Sequence, residues 1–417
     1  MKVESNHSVG PRTGSGWLWI ALAAAVGLPS PILRLAGIHL EPVLASLIFG
    51  AGIVGGAFLL AWACEAAQVD ISAGLAIAIL AIIAILPEYA VEAVLAWNAG
   101  AVFAENPNAP QVSYVAANVT GANRLLIAFG WALVVLVFWL KRRGSTMLPE
   151  GGLPLEITVL LIATCFIFLI AVIQAVPLWL SGILIAIYLW YLWLSSRGGA
   201  GEPHLTGPAA TVGGMSVLPR RSTVLLLFTY SAAVILFSAE PFVEGLVDTG
   251  AELGFDEFLL IQWLAPLASE SPEIVVACLF ALQANPMVGI RTLISAGVNQ
   301  MTVLIGTMPL VFSLSLGEAH AFPLDFRQAM EFLLTGALAL TAVALLARMR
   351  LTVWHALALL AFFVIQLVFP STQARLIASL VLFGVTVVIL AVDPGRVKIL
   401  FSMFKSVLPQ SSTAPGS

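Results

Sequence analysis

A chain of 417 residues that is 60% hydrophobic and only 10% charged, with a mean hydropathy of +1.03, lies far from the composition of a water-soluble domain, where roughly 25% of residues are charged. Such a composition excludes a soluble enzyme or nucleic-acid-binding protein and predicts a polytopic membrane protein. The net charge of −4 adds little, because most of the chain meets lipid.

A helix needs about 20 mostly apolar residues to cross about 30 Å of hydrocarbon. About twelve such stretches follow one another, near 17–38, 42–64, 71–97, 112–140, 153–174, 177–195, 222–247, 256–283, 290–314, 328–348, 351–370 and 375–392. Open sheet edges cannot face lipid, and the apolar/polar alternation of a barrel is absent, so the fold class is all-α. The first stretch follows a tail with Lys2 and Arg12 and contains Arg34, and it reads as a signal-anchor helix. A Gly- and Pro-rich interruption at 196–221 reads as a flexible linker between two membrane halves. The expected organisation is thus 1–41 for the tail and an extra helix, 42–195 for a first set of five spans, 196–221 for the linker, 222–370 for a second set of five, and 371–417 for a last helix and tail.

Basic residues cluster on alternate connections: Lys2 and Arg12, Lys141 to Arg143, Arg197, Arg220 and Arg221, Arg348 and Arg350, and Arg396, Lys398 and Lys405. The opposite connections carry mainly acids, with Arg327 and Arg375 as the only basic residues near them. By the positive-inside rule both termini are expected in the cytoplasm, with the protein in the cell membrane. Cys64, Cys165 and Cys278 share no metal-type spacing and read as small core residues.

Two Pro-Glu steps, Pro87-Glu88 and Pro272-Glu273, interrupt apolar spans. Each is followed by a turn carrying Asn-Pro and then by a span with a Gly-x-Asn step, at Gly121 to Asn123 and Gly297 to Asn299. Under the expected topology the first Pro-Glu span runs outward and the second inward, so the repeat is inverted. Inverted repeats whose broken helices meet near the midplane are a mark of secondary transporters.

The chemistry follows from the residue types. Pro87 and Pro272 remove backbone donors and are expected to break their helices beside a carboxylate. Glu92 lies one turn beyond Glu88, while Glu270 and Glu273 share a face with Ser269 and Ser271 nearby. Asn123 and Asn299 can add neutral carbonyl oxygens, and Gly121 and Gly297 are expected to let paired spans approach closely. Carboxylates supplemented by amide and hydroxyl oxygens suit hard cations such as Na⁺ or Ca²⁺. Single intramembrane carboxylates also occur as helix-packing groups, but two at corresponding positions mark a site.

The quoted motifs resemble those of the cation/calcium exchanger superfamily, to which sodium/calcium exchangers belong. That family carries Gly-Thr-Ser-x-Pro-Glu on one helix of each repeat and Gly-Asn-x-x-Gly-Ser-Asn on the next. Here the first helix reads Ile83-Ala84-Ile85-Leu86-Pro87-Glu88, and its counterpart reads Ala268-Ser269-Glu270-Ser271-Pro272-Glu273. Their partners read Ala117-Asn118-Val119-Thr120-Gly121-Ala122-Asn123 and Leu293-Ile294-Ser295-Ala296-Gly297-Val298-Asn299. The resemblance implies a ten-helix exchanger core at 42–370 with one extra helix at each end. It also implies Glu88 and Glu273 as the central cation-binding carboxylates, with Asn123, Asn299 and Ser269 as nearby ligands.

Departures from the family pattern are substantial. Ala84 and Ile85 replace the hydroxyl pair, Ala122 and Val298 stand where serines are usual, and Glu270 occupies a serine position. Arg124 follows Asn123 directly and could pair with Glu270, balancing a buried cluster. Alternatively, Glu88, Glu270 and Glu273 as a like-charge group would favour proton binding. Either arrangement weakens a standard Ca²⁺ site and leans towards sodium:proton-type exchange. Asn118 and Glu92 are further charge-balancing candidates, and Glu240 and Glu244, four apart, could line an access path or form a solvated helix end. Glu156 and Glu331 read as N-terminal helix charges, and His355 as a packing histidine.

The sequence therefore predicts a cation antiporter that exchanges Na⁺ or Ca²⁺ against Na⁺ or H⁺, with the bilayer as its only other partner. No cofactor, nucleic acid or ATP is implied, since no GxxxxGK[ST] loop occurs. A non-transporting ion sensor or scaffold is the alternative. A polytopic membrane enzyme is less favoured, because neither HExxH nor GxSxG appears.

Overall fold

The structure is a computed structural model that describes residues 13–70, 86–142, 153–197, 205, 207–283 and 285–407. Residues 71–85 of the expected third span, with Ala84 and Ile85, lie outside the described residues, as do Lys2, Arg12 and Arg143. The described residues are helical throughout apart from turns and one two-residue bridge.

In chain order the helices are α1 (Thr13–Gly27), α2 (Pro29–Leu35), α3 (Pro42–Ala67), α4 (Leu86–Phe103), α5 (Pro110–Arg124), α6 (Trp131–Arg142), α7 (Pro154–Ile173), α8 (Leu178–Arg197) and α9 (Gly207–Gly213). After these come α10 (Val217–Leu253), α11 (Glu257–Leu282), α12 (Pro286–Asn299), α13 (Ile305–Leu316), α14 (Phe326–Leu346), α15 (Val353–Val368), α16 (Thr372–Val392) and α17 (Gly395–Val407). A π-helical segment joins α5 to α6 at Leu125–Gly130, and another joins α12 to α13 at Gln300–Leu304. Short strands β1 (Ala175–Val176) and β2 (Phe322–Pro323) pair antiparallel.

Among the described residues ten helical segments are long and apolar enough to cross a membrane. The expected spans at 71–97 and 351–370 appear as Leu86–Phe103, whose upstream continuation is outside the described residues, and as the 16-residue Val353–Val368. Large side chains such as Leu218, Trp354 and Val392 stand exposed, as lipid-facing residues do. The protein is an integral membrane protein.

The chain divides into two compact units, Met1–Pro87 with Ser196–Phe242, and Glu88–Ser195 with Val243–Ser417. In the first, α3 carries a run of small residues against α1. A Cβ on Gly55 would stand 2.7 Å from the Ala23 carbonyl oxygen, so only glycine permits this approach. Leu59, Ala63, Ala66, Ile20 and Leu227 form the apolar core of this unit, and Tyr230 donates its hydroxyl to the Ala24 carbonyl at 2.6 Å.

Much of the expected flexible linker belongs to this unit as ordered helix, since α9 spans Gly207–Gly213 and α10 starts at Val217. Arg220 explains the difference. It donates to both carboxylate oxygens of Asp70 at 2.7 and 2.8 Å and to the Met215 carbonyl at 2.9 Å. Arg221 adds a contact at 3.2 Å. The Arg220 guanidinium, joined by Arg221, holds the Asp70 carboxyl down at about 2.

In the second unit α14 is the most enclosed span, with 83% of its apolar stretch buried. Helix α16 is polarised the other way round from a helix in water. Its buried residues are Arg375, Ser379, Leu382 and Thr386, at helical spacing, and its exposed face is aliphatic. Lipid solvates the apolar face, so the polar stripe turns towards α14, where Thr386 and Thr341 share a 2.9 Å hydrogen bond.

Candidate cation site

The site grows out of two helix pairs of the second unit, α4 with α5 and α11 with α12. Prolines set the shape of α11. Pro266 removes the N–H that would bond the Gln262 carbonyl, and Gly121 of α5 packs onto that carbonyl: a Cβ there would lie 1.8 Å from the oxygen. Pro272 likewise frees the Ala268 carbonyl, and the Ser271 hydroxyl donates to it at 3.3 Å. Helix α11 consequently runs on through Glu257–Leu282, so the break expected at Pro272 does not occur. A side-chain hydroxyl and close packing replace what the proline removes. Pro87 is the second described residue of α4, and what precedes Leu86 lies outside the described residues.

Glu88 and Glu92 lie one turn apart on α4, both buried. Asn118 donates to Glu92 Oε2 at 2.7 Å, so the first repeat supplies its own partner for this second carboxylate. Glu270 is wholly buried on α11 and accepts a short hydrogen bond from Gln300 Nε2. Glu88 lies within hydrogen-bonding reach of both Glu270 and Gln300. The structure thus brings Glu88, Glu270 and Gln300 together, with Glu273 one turn from Glu270 and half-buried.

Asn123 turns its Nδ2 back to the Val119 carbonyl at 3.0 Å, leaving Oδ1 buried without a partner. Asn299 accepts from the Tyr89 hydroxyl at 3.4 Å. Ser269 is buried and donates to the carbonyls of Ala265 and Pro266, both at 3.3 Å. A π-helical segment begins directly after Arg124 in one repeat and directly after Asn299 in the other. These wider turns sit at corresponding places, beside the two asparagines, where such bulges mark functional positions.

Acceptors dominate the result. One oxygen each of Glu88, Glu92, Glu270 and Glu273, with Asn123 Oδ1 and Gln300 Oε1, is buried without a hydrogen-bond partner. Buried acceptors left unmade are expensive, and a proton or a hard cation satisfies them. No group of three or more His, Cys, Asp or Glu side chains in a metal-holding arrangement occurs among the described residues.

Arg124 does not reach Glu270. Its Nη1 lies 2.6 Å from Glu331 Oε2 and donates to Gln366 Oε1 at 3.1 Å, while Nε donates to the Thr120 carbonyl at 3.1 Å. Glu331 is not an exposed N-terminal charge but is wholly buried, and it accepts from Arg375 Nε at 2.9 Å through its other oxygen. Arg375, read from sequence as a connection residue, is buried and also donates to the Gln366 carbonyl at 2.9 Å and to Gln262 Oε1 at 3.3 Å. Ionisable residues inside apolar spans were the signal for Glu331 and Arg375. Gln300 was adjacent to Asn299, but nothing in its spacing marked it.

Several candidates lie away from this cluster. Glu240, in the first unit, pairs with Arg34, and both are exposed. Glu244 lines a cavity of about 290 Å³ with Asp248, Asn98, Gln111 and Tyr114. Gly297 has no atom of the described residues within 4 Å of a built Cβ, so the close approach expected there is not seen among them. Glu156 sits in the first turn of α7, 3.6 Å from Arg291. His355 closes a capping box with Thr352 at the start of α15.

An all-helical membrane domain, with two repeats that each set a helix carrying a Pro-Glu step beside a helix followed by a π segment, defines a secondary-transporter fold. The family model described as sodium/calcium exchanger protein matches residues 42–197 and 223–372, and the chain belongs to that family. A crystal structure titled H⁺/Ca²⁺ Exchanger CAX is 35% identical, with a TM-score of 0.88, over 95% of this chain and 98% of that one. The structure titled native YfkE is 13% identical, with a TM-score of 0.61, over 88% and 99%. A structure of the sodium-calcium exchanger NCX_Mj is 18% identical, with a TM-score of 0.52, over 81% and 98%. The latter two show the fold alone. No curated protein matches the chain.

Proposed function

We propose that the protein is a secondary-active cation antiporter that exchanges a cation against protons by alternating access, with Ca²⁺ as the cation. The observation that carries this reading is the Glu88–Glu270 pair, two buried carboxyls within hydrogen-bonding reach of each other and of Gln300. Such a pair holds a proton between its oxygens or gives it up to a cation, so the two ligands compete for one place. Glu273 supplies a further carboxylate, and Asn123, Asn299 and Ser269 supply neutral oxygens.

The residue pattern alone leans towards sodium, and the proton is common to both readings. Preference for Ca²⁺ rests on the 35% identity with a structure titled as an H⁺/Ca²⁺ exchanger. Glu244 and Asp248 line one cavity, and this reading takes them as an acidic approach for cations. The same reading takes 42–195 and 222–370 as the two repeats, twelve spans in all, both termini in the cytoplasm, and the cell membrane as location.

The test is uptake of radiolabelled calcium or sodium into proteoliposomes under an imposed pH gradient. Calcium uptake that collapses the gradient is expected, and it is lost in Glu88→Gln and Glu273→Gln. Uptake that survives in both variants removes the site from these residues, and sodium uptake without calcium uptake restores the sodium reading.

A further inference from the structure

We propose that the buried network of Arg124, Arg375, Glu331, Gln262 and Gln366 is an anion site that holds one small monovalent anion of the halide class. The charges do not balance within it. Two guanidiniums share a single carboxylate, and all three side chains are at most 1% exposed, so one positive charge is left over. No contact among the described residues joins Arg124 or Arg375 to Glu88, Glu270 or Glu273, so no carboxylate of the cation site pairs directly with the surplus.

Unmade donors outnumber unmade acceptors as well: Glu331 Oε2, which lies 2.6 Å from Arg124 Nη1 without a well-aligned hydrogen bond, stands against two amide Nε2 groups. Gln366 must present Oε1 to Arg124, and Gln262 must present Oε1 to Arg375, because a guanidinium offers only donors. Both amides therefore turn Nε2 away, and both Nε2 groups are buried without a partner, in residues 2% and 0% exposed. Flipping either amide would set N–H against N–H. Nη2 of Arg124 has only the Thr120 hydroxyl, at 3.5 Å. The ring of Trp263 lies over the Arg124 guanidinium at 5.2 Å.

A buried, uncompensated charge beside unmade donors is expensive. One anion of charge −1 removes both costs. A divalent oxyanion would leave a net negative charge, and a spherical halide accepts from donors at any angle. This assignment does not depend on what the cation site transports.

The probe is chloride on the full-length protein in detergent, purified in chloride and then exchanged into gluconate. Ion chromatography after denaturation is expected to recover about one chloride per chain. Replacing gluconate by chloride at constant ionic strength is expected to raise the melting temperature by a few degrees, as for any ligand held by the folded state alone. Gln262→Leu and Gln366→Leu keep both arginine–glutamate pairs and are expected to release the chloride and abolish the shift. Absence of chloride in the wild type, together with equal melting temperatures in the two salts, overturns the proposal. A shift unchanged in both variants also overturns it, by placing the anion elsewhere. Should a variant not fold, the wild-type chloride content decides.

Discussion

Asn123 and Arg124 are neighbours on one helix, yet their side chains differ in character: the first leaves a buried acceptor unmade, and the second joins a donor-rich cluster that contrasts with the acceptor-rich group of Glu88, Glu270 and Glu273. Successive residues of a helix point about 100° apart: Arg124 reaches the donor-rich group of Glu331, Arg375 and Gln366, while Asn123 turns its amide back to the Val119 carbonyl and keeps Oδ1 buried without a partner. The acceptor group leaves oxygens of Glu88, Glu270 and Glu273 buried without a partner, as the proposed cation site requires. The donor group ties α5, α11, α14, α15 and α16 together through side chains that never reach water. Intramembrane charge is therefore not one signal: one cluster leaves buried acceptors unmade, while the other interlocks five helices around two guanidiniums and one carboxylate.

The sharpest way to break this contrast is Glu331→Gln. It leaves two buried guanidiniums facing each other without a carboxylate, and removing one partner of a buried pair costs about 3–5 kcal/mol. Thermal unfolding in detergent should show the largest loss of any single substitution here, with little folded protein recovered. Glu270→Gln tests the other cluster. Its folded yield should stay near normal, while cation affinity measured by uptake falls roughly 30-fold or more, as for a lost charge contact of about 2–5 kcal/mol. Equal stability losses in the two variants would erase the distinction between the clusters.

Much of this was legible in the sequence, for a physical reason. In lipid a backbone must satisfy itself, so apolar stretches of sufficient length could only be helices, and a carboxylate in such a stretch stands out at once. Glu88 and Glu270 were visible on those grounds, and Asn123 through its Gly-x-Asn step. Partnership was not. Arg124 meets a carboxylate 207 residues away rather than the nearby-reading Glu270, and no spacing encodes that choice. The uninterrupted α11 was hidden too, because whether a proline breaks a helix depends on what else can bond the freed carbonyl. Ser271 answers that question for the Ala268 carbonyl, to which its hydroxyl donates at 3.3 Å.

Smaller effects sharpen the comparison. Gly121→Ala places a Cβ 1.8 Å from the Gln262 carbonyl oxygen, so α5 and α11 must part, at about 1–3 kcal/mol for overpacking. Because both clusters hang on this contact, melting temperature and uptake should fall together. Weakest is the Asp70 latch of the other unit. A carboxyl held down at about 2 by Arg220 lends stability that is complete above its ordinary value of 3.8 and is lost as pH falls through about 2. Asp70→Asn should therefore flatten the stability curve between those two pH values and leave it unchanged near neutrality in slope.

The inward polar stripe of α16 has a consequence for biogenesis. Chains are made from the N-terminus, so Arg124 and Glu331 are both synthesised before Arg375, which follows Glu331 by 44 residues. Until then the Glu331 oxygen that accepts from Arg375 in the folded chain lacks that partner. Helix α16 carries the residue that engages that oxygen, so the interior of the unit is joined up only after α14, α15 and the start of α16 have been made.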